Sequence, residues 1–259
     1  MDSSHYPTLY QVNTRVWLQR LTQQLSRPAT LNDIPDSVLD EWVQCGFEWI
    51  YFLGVWQTGV AAPQVSRTNP EWVAVYERLL PDLTDEDVCG SCFAVTGYIV
   101  HQKLGGKAAM ERLRDRLHQR GIKLMLDFVP NHTAPDHPWA TDHPEFYVTG
   151  TEEQLAREPQ NYCRLGDRIL AYGRDPYFAG WCDTLQLNYG NPDFQAAQVN
   201  ELLNISQLCD GVRCDMAMLV LPEIFQRTWG ITAAPFWETA IAKVRAQHPG
   251  FVFMAEVYW

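Results

Sequence analysis

The sequence predicts an α/β protein built on a parallel sheet, and three observations carry that expectation. Short apolar runs alternate with segments of helical period along the chain, the pattern of successive β/α units. Three of the apolar runs carry an acidic residue near the C-terminal end: Asp127, Asp215 and Glu256. No internal repeat or low-complexity tract competes with this reading. In a (β/α)8 TIM barrel the C-terminal ends of all the strands face one mouth, where active sites lie, so the three carboxylates would converge there.

The elements follow in order. "YQVNTRVWL", residues 10–18, reads as the first strand. A helix starts at Asp36, with Leu39, Trp42 and Val43 on one face and Gly46 as its stop. "FEWIYFLGVW", residues 47–56, is an almost unbroken apolar run and reads as one buried strand. "GGKAAMERLRDRLHQRG" repeats Met110, Leu113 and Leu117 at helical spacing and ends at Gly121. "IKLMLDFVP", residues 122–130, is the third strand. A helix then opens with Asn191 as cap and Pro192 in its first turn. "CDGVRCDMAM" reads as a strand, "FWETAIAKVRAQHPG" as a helix and "FVFMAEVYW" as the fifth strand.

Between the third strand and the Asn191 helix the pattern breaks. Residues 131–189 are rich in Pro, Gly, His and aromatics and have no long period. A βα loop is normally ~2–6 residues, so this stretch is expected to be a small inserted subdomain. The expected organisation is residues 1–130 as the first part of the barrel, 131–189 as the insertion and 190–259 as the barrel's continuation through the fifth strand. A length of 259 would suit one whole barrel, but only five strands are counted. The chain is therefore expected to be a barrel truncated after about its fifth strand.

Composition narrows the function. A net charge of -11 with no basic face argues against nucleic acid and anionic membranes as partners. No run approaches the ~20 apolar residues of a membrane helix. The first thirty residues lack a basic segment followed by an apolar one, so a cytoplasmic location with free thiols is expected for the seven scattered cysteines. Cys89 and Cys92 form a C-x-x-C, but acidic residues precede it and a loop-like stretch follows, which is not the strand–helix setting of a redox motif. The ten Trp and eleven Tyr suit a cleft that stacks on sugar rings, and equally suit an aromatic core.

The carboxylates suggest a chemistry. Residues i and i+2 of a strand point to one face, so Arg213 and Asp215 lie together. A fixed guanidinium should hold Asp215 ionised. Glu256, beside Met254, Val257 and Tyr258, should be more apolar in its surroundings and protonated at neutral pH. Two carboxylates in opposed environments are the requirement of glycoside hydrolysis. Each residue also has a plainer reading: a buried Arg–Asp pair that fixes a strand, Asp127 as a loop cap, His132 as a loop histidine.

Several stretches together resemble the α-amylase family, glycoside hydrolase family thirteen. They are "DFVPNH" (residues 127–132), "GVRCD" (211–215), "AEVYW" (255–259), "GSCFAVTGY" ending at Tyr98, and, more loosely, "LQLNY" (185–189). The resemblance runs from about Tyr10 to the end of the chain. It implies retaining chemistry on α-glucosidic bonds of an α-glucan or α-glucoside, with Asp215 as nucleophile, Glu256 as acid/base and Arg213 orienting Asp215. It also implies that Asp127, His132 and Tyr98 hold the reacting sugar. Where many relatives carry Lys-His past the nucleophile, this chain has Met218 and Leu219, and Gln186 aligns with an aspartate that often ligates calcium. Asn131 remains, but calcium takes ~6–8 oxygens. No cofactor and no metal site is therefore expected, and starch endo-hydrolysis is not the expected activity. The family's later His-Asp signature is absent. Two alternatives stand beside the enzyme: a non-catalytic amylase-like barrel used as a scaffold, and a metal hydrolase built on His132, His137 and His143.

Overall fold

A computed structural model describes residues 6–258. Its centre is a five-stranded sheet formed by β1 (Leu9–Asn13), β2 (Trp49–Leu53), β3 (Lys123–Phe128), β4 (Gly211–Cys214) and β5 (Val252–Ala255). The strands lie side by side in chain order and every neighbouring pair is parallel. Helices α1 (Thr14–Leu25), α2 (Asp36–Gln44), α3 (Gly106–His118), α4 (Pro192–Ser206), α5 (Pro222–Trp229) and α6 (Trp237–Gln247) fall between them. This is the strand order of a (β/α) barrel, over part of its circumference.

Alternation along the strands sorts the core. Ile50, Phe52, Leu124, Leu126, Phe128, Val212 and Cys214 turn outward and join helix residues such as Leu39, Met110, Leu113 and Leu202 in one large cluster. Trp49, Tyr51 and Met125 turn inward and form a second cluster with Val252 and Met254. Each fully buried outward side chain, such as Phe52, contributes about 1.5–3 kcal/mol.

Each expected strand is shorter than the run read for it: the fourth ends at Cys214, and Ala217–Val220 is a short helical turn. Two boundaries show their cause plainly. The first stops at Asn13, whose side-chain oxygen accepts from Val16 N at 3.3 Å and starts α1 without a loop. Residues 14–18 are therefore helical. The second stops at Leu53 because Gly54 has φ +76, and a Cβ there would lie 2.8 Å from Cys92 Cβ. The chain then turns into a separate strand, Trp56–Thr58, antiparallel to Val95–Val100. The helix stops at Gly46 and Gly121 stand as expected, both at positive φ.

Residues 131–189 leave the sheet after β3. Their two ends meet, since His132–Thr133 pairs antiparallel with Leu185–Gln186. A hairpin of Tyr162–Leu165 and Arg168–Ala171 lies between them. Tyr147, Tyr162, Leu170 and Leu187 join the same apolar cluster as the outer face of the sheet, so this segment shares its core with the strands. No helix among the described residues is long and apolar enough to cross a membrane.

Candidate active site

Parallel register brings the strand ends level. Arg213 pairs with Asp127 across β3 and β4, and with Met254 across β4 and β5. Two further backbone bonds extend the ladder: Asp215 N donates to Phe128 O at 2.8 Å and Glu256 N to Cys214 O at 3.0 Å. Asp127, Asp215 and Glu256 therefore end three adjacent strands, with Arg213 among them.

Arg213 holds two carboxylates at once. Its Nη1 donates to Asp215 Oδ1 at 2.5 Å, and its Nη2 pairs with Glu256 Oε1. The guanidinium carbon lies 4.9 Å from the centre of the Phe93 ring, a cation–π contact that closes one side of the cluster. Glu256 accepts two more hydrogen bonds, from Met216 N at 2.9 Å and from Tyr258 OH at 3.0 Å. Met216 reaches that position through a left-handed turn, φ 46.

The electrostatics differ from the sequence expectation. Burial pushes the Asp215 carboxyl up to about 7, against the pull of Arg213, with Glu256 and Asp127 adding repulsion. Three carboxylates share one guanidinium, so Arg213 does not hold Asp215 low. The surroundings of Glu256 are also not the more apolar ones. Its side chain is 21% exposed against 6% for Asp215, because it ends the edge strand of the sheet.

Asp127 is bonded into the scaffold. It is 1% exposed, Tyr51 OH donates to its Oδ1, and Gly54 N donates to its Oδ2 at 2.7 Å. Burial raises its carboxyl to about 6, with the Gly54 and Tyr51 bonds opposing. It ties β2 to β3 beneath the Arg213 cluster. Tyr98 is also built into the scaffold. Its ring packs on Trp56 and on Phe128, an outward-facing residue, while its hydroxyl donates to Val129 O at 3.1 Å and accepts from Val129 N at 2.9 Å. The aromatic ring of this stretch that reaches the cluster is Phe93, five residues before Tyr98 and against Arg213. Only the apolar step "CFA" marked it in the sequence.

His132 is buried, and burial pushes its imidazole down to about 3, so it is neutral at physiological pH. Its ring meets Trp181 at 5.3 Å, and Trp181 packs in turn against the cluster of Met216, Met218 and Leu219 that follows Asp215. His137 caps the helix Pro138–Asp142 through Nδ1, and His143 stacks on Phe146, so neither joins His132. Among the described residues no group of three or more His, Cys, Asp or Glu could hold a metal ion, which removes the metal-hydrolase alternative there.

The calcium ligands of the family can be tested at Gln186. Its amide Nε2 donates to Asn131 O and Asn131 Oδ1, each at 3.0 Å, and to Leu187 O at 3.1 Å. Gln186 is fully buried. Three oxygens converge on an N–H donor, and the ~6–8 oxygens that calcium takes are not assembled around it. Leu219 packs with Met216 and Met218 instead of offering a donor. This arrangement does not fit a calcium ion.

Fold and cluster define the class: a parallel α/β barrel sheet that carries paired carboxylates and an arginine at its C-terminal edge. The chain belongs to the α-amylase family, since residues 95–258 match the model of the α-amylase catalytic domain. An α-1,4-glucan:maltose-1-phosphate maltosyltransferase of Burkholderia pseudomallei is 30% identical over 220 residues, 82% of this chain and 16% of that protein. An α-glucosidase of Culex pipiens is 30% identical over 131 residues, 46% of this chain and 23% of that protein. Among solved structures, an α-amylase from Lactobacillus plantarum superposes with TM-score 0.62 at 25% identity, covering 96% of this chain and 45% of its own. The chain thus spans less than half of that structure and less than a quarter of these curated relatives.

Proposed function

We propose that this chain carries the reacting carboxylates of a retaining enzyme that hydrolyses or transfers α-glucosyl units of an α-glucan or α-glucoside. The observation that supports this most is Arg213 bridging Asp215 and Glu256 at the ends of adjacent strands. Asp215, oriented by Arg213, attacks the anomeric carbon and forms a glycosyl ester as the bond to the leaving oxygen breaks. Glu256 gives its proton to that oxygen. It then takes a proton from water or from an acceptor hydroxyl, whose oxygen displaces Asp215.

The charge balance supports the same reading. With Glu256 holding the proton it donates, the ionised Asp215 and Asp127 beside one guanidinium still leave an excess of negative charge, which stabilises an oxocarbenium-like transition state. Phe93 supplies an apolar wall beside Arg213, and the neutral His132 can donate or accept a hydrogen bond at a sugar hydroxyl without adding charge. No step uses a metal. In this reading residues 131–189 form the inserted subdomain that walls one side of the site.

The test is turnover of maltooligosaccharides and sucrose by the protein that carries this chain. Asp215→Asn should lower it on the order of a thousandfold or more, because the nucleophile is lost. Glu256→Gln should lose less on substrates with good leaving groups. An Asp215→Asn protein that keeps most of its turnover would leave the scaffold reading in its place.

A further inference from the structure

A short loop of the 131–189 segment presents two large aromatic rings to water from a rigid mount. Gly173 and Trp181 bridge its base, with Trp181 N donating to Gly173 O at 2.8 Å. That base rests on His132: a Cβ at Gly173 would lie 2.9 Å from His132 Cβ. At the tip, Tyr177 is 62% exposed and Phe178 is 73% exposed.

The exposure is not slackness. The buried Asp175 accepts from Tyr177 N at 2.7 Å and from Phe178 N at 3.0 Å through one oxygen. Arg227 of α5 lies over the Tyr177 ring at 5.3 Å and donates to its hydroxyl at 3.2 Å. On the return side Asn161 accepts from Gly180 N at 3.0 Å, and a Cβ at Gly180 would meet Tyr172 Cβ at 2.6 Å. Two rings held this firmly and this exposed contribute little to the core. They are instead pre-organised to bind something flat and partly apolar.

The loop also points back to the candidate site. Its closing residue, Trp181, meets His132, four residues past β3, and packs against the cluster of Met216, Met218 and Leu219 that follows β4. Tyr177 is four positions after Gly173, so the tip backbone stands within about 14 Å of that base. We propose that Tyr177 and Phe178 form a distal stacking platform for an α-glucan chain whose end lies at Asp215 and Glu256. Pyranose rings offer flat C–H faces that stack on aromatics, while Arg227 stands beside Tyr177 to bond their hydroxyls. The platform rests on the α-glucan reading above and adds a preference for long over short glucans.

The test is calorimetric binding of maltose and maltoheptaose to the intact chain, as wild type, Phe178→Ala, Phe178→Tyr and Tyr177→Ala. The wild type should bind maltoheptaose more tightly than maltose. Each alanine variant should lose about five- to tenfold in maltoheptaose affinity, Phe178→Tyr should keep most of it, and maltose should bind all four alike. Thermal melting accompanies each variant, and the loss must appear without a fall in melting temperature. Alanine variants that bind maltoheptaose as the wild type does would overturn the platform alone. A wild type that binds neither sugar would overturn the α-glucan reading and the platform with it. Self-association that depends on Phe178, with unchanged sugar affinity, would make the rings a protein contact and end the proposal.

Discussion

Arg213 donates to Asp215 Oδ1 at 2.5 Å, yet the Asp215 carboxyl titrates upward, to about 7. One guanidinium serves this carboxylate, its neighbour Glu256 and, at longer range, Asp127. Burial and mutual repulsion outweigh the single cation. Asp215 thus binds a proton more readily folded than unfolded, and that has a consequence for stability.

Both Asp215 and Asp127 are raised, to about 7 and about 6, from ordinary values near 3.8. The folded state therefore holds more protons than the unfolded state between those values. Their contribution to stability is fully present below about pH 4 and is lost as pH rises through 6 to 7. Asp215→Asn removes the charge and keeps the volume. Its stability relative to wild type should rise with pH across this window, reaching a few kcal/mol in its favour by pH 8. Urea unfolding of both proteins at several pH values measures the difference. A difference that stays flat from pH 4 to pH 8 would mean that Asp215 is not raised.

Phe93 and Tyr98 should separate cleanly. Tyr98→Phe removes a hydroxyl that, among the described residues, serves Val129 backbone groups, and leaves those buried partners unpaired. It should cost about 1–3 kcal/mol of stability and leave turnover within a few-fold. Phe93→Ala should instead lower turnover far more than stability, because it opens the wall beside Arg213. Steady-state kinetics and unfolding on both variants check the pair. Equal effects on kcat would refute the assignment of Phe93 in place of Tyr98.

Gln186 should make the fold indifferent to calcium. Chelator should leave the melting temperature of the wild type within about a degree, and added calcium should not raise it. Gln186→Leu keeps the bulk but strands Asn131 and Leu187 oxygens, and should lose about 1–3 kcal/mol or more. Calcium that restores a chelator-treated wild type would mean that the ion binds elsewhere or displaces the amide.

Much of the fold was legible in the chain. Apolar-rich runs marked all five strands, and they are most continuous at β2 and β3, which are buried on both faces. Helix stops at Gly46 and Gly121 and the Asn191 cap were plain because local sterics and hydrogen bonding decide them. The strand boundaries were not legible at Asn13 and Gly54. There a side-chain cap and a close approach by Cys92 decide the outcome, and neither shows in periodicity. Period-two alternation placed Arg213 with Asp215, but it could not say that Arg213 also reaches Glu256. The orientation of Tyr98 was hidden for a similar reason: it depends on which face of β3 Phe128 turns to the helices.

The central claim is that Asp215 forms a glycosyl ester while Glu256 manages the proton. Mass spectrometry of the protein, digested after exposure to a fluorinated α-glucoside with an activated leaving group, tests it most directly. Such a reagent slows the second step, so the ester accumulates. The account predicts one added sugar on the peptide that contains Asp215, absent from Asp215→Asn and retained in Glu256→Gln. A label on Asp127 or Glu256, or no label on any carboxylate, would contradict it.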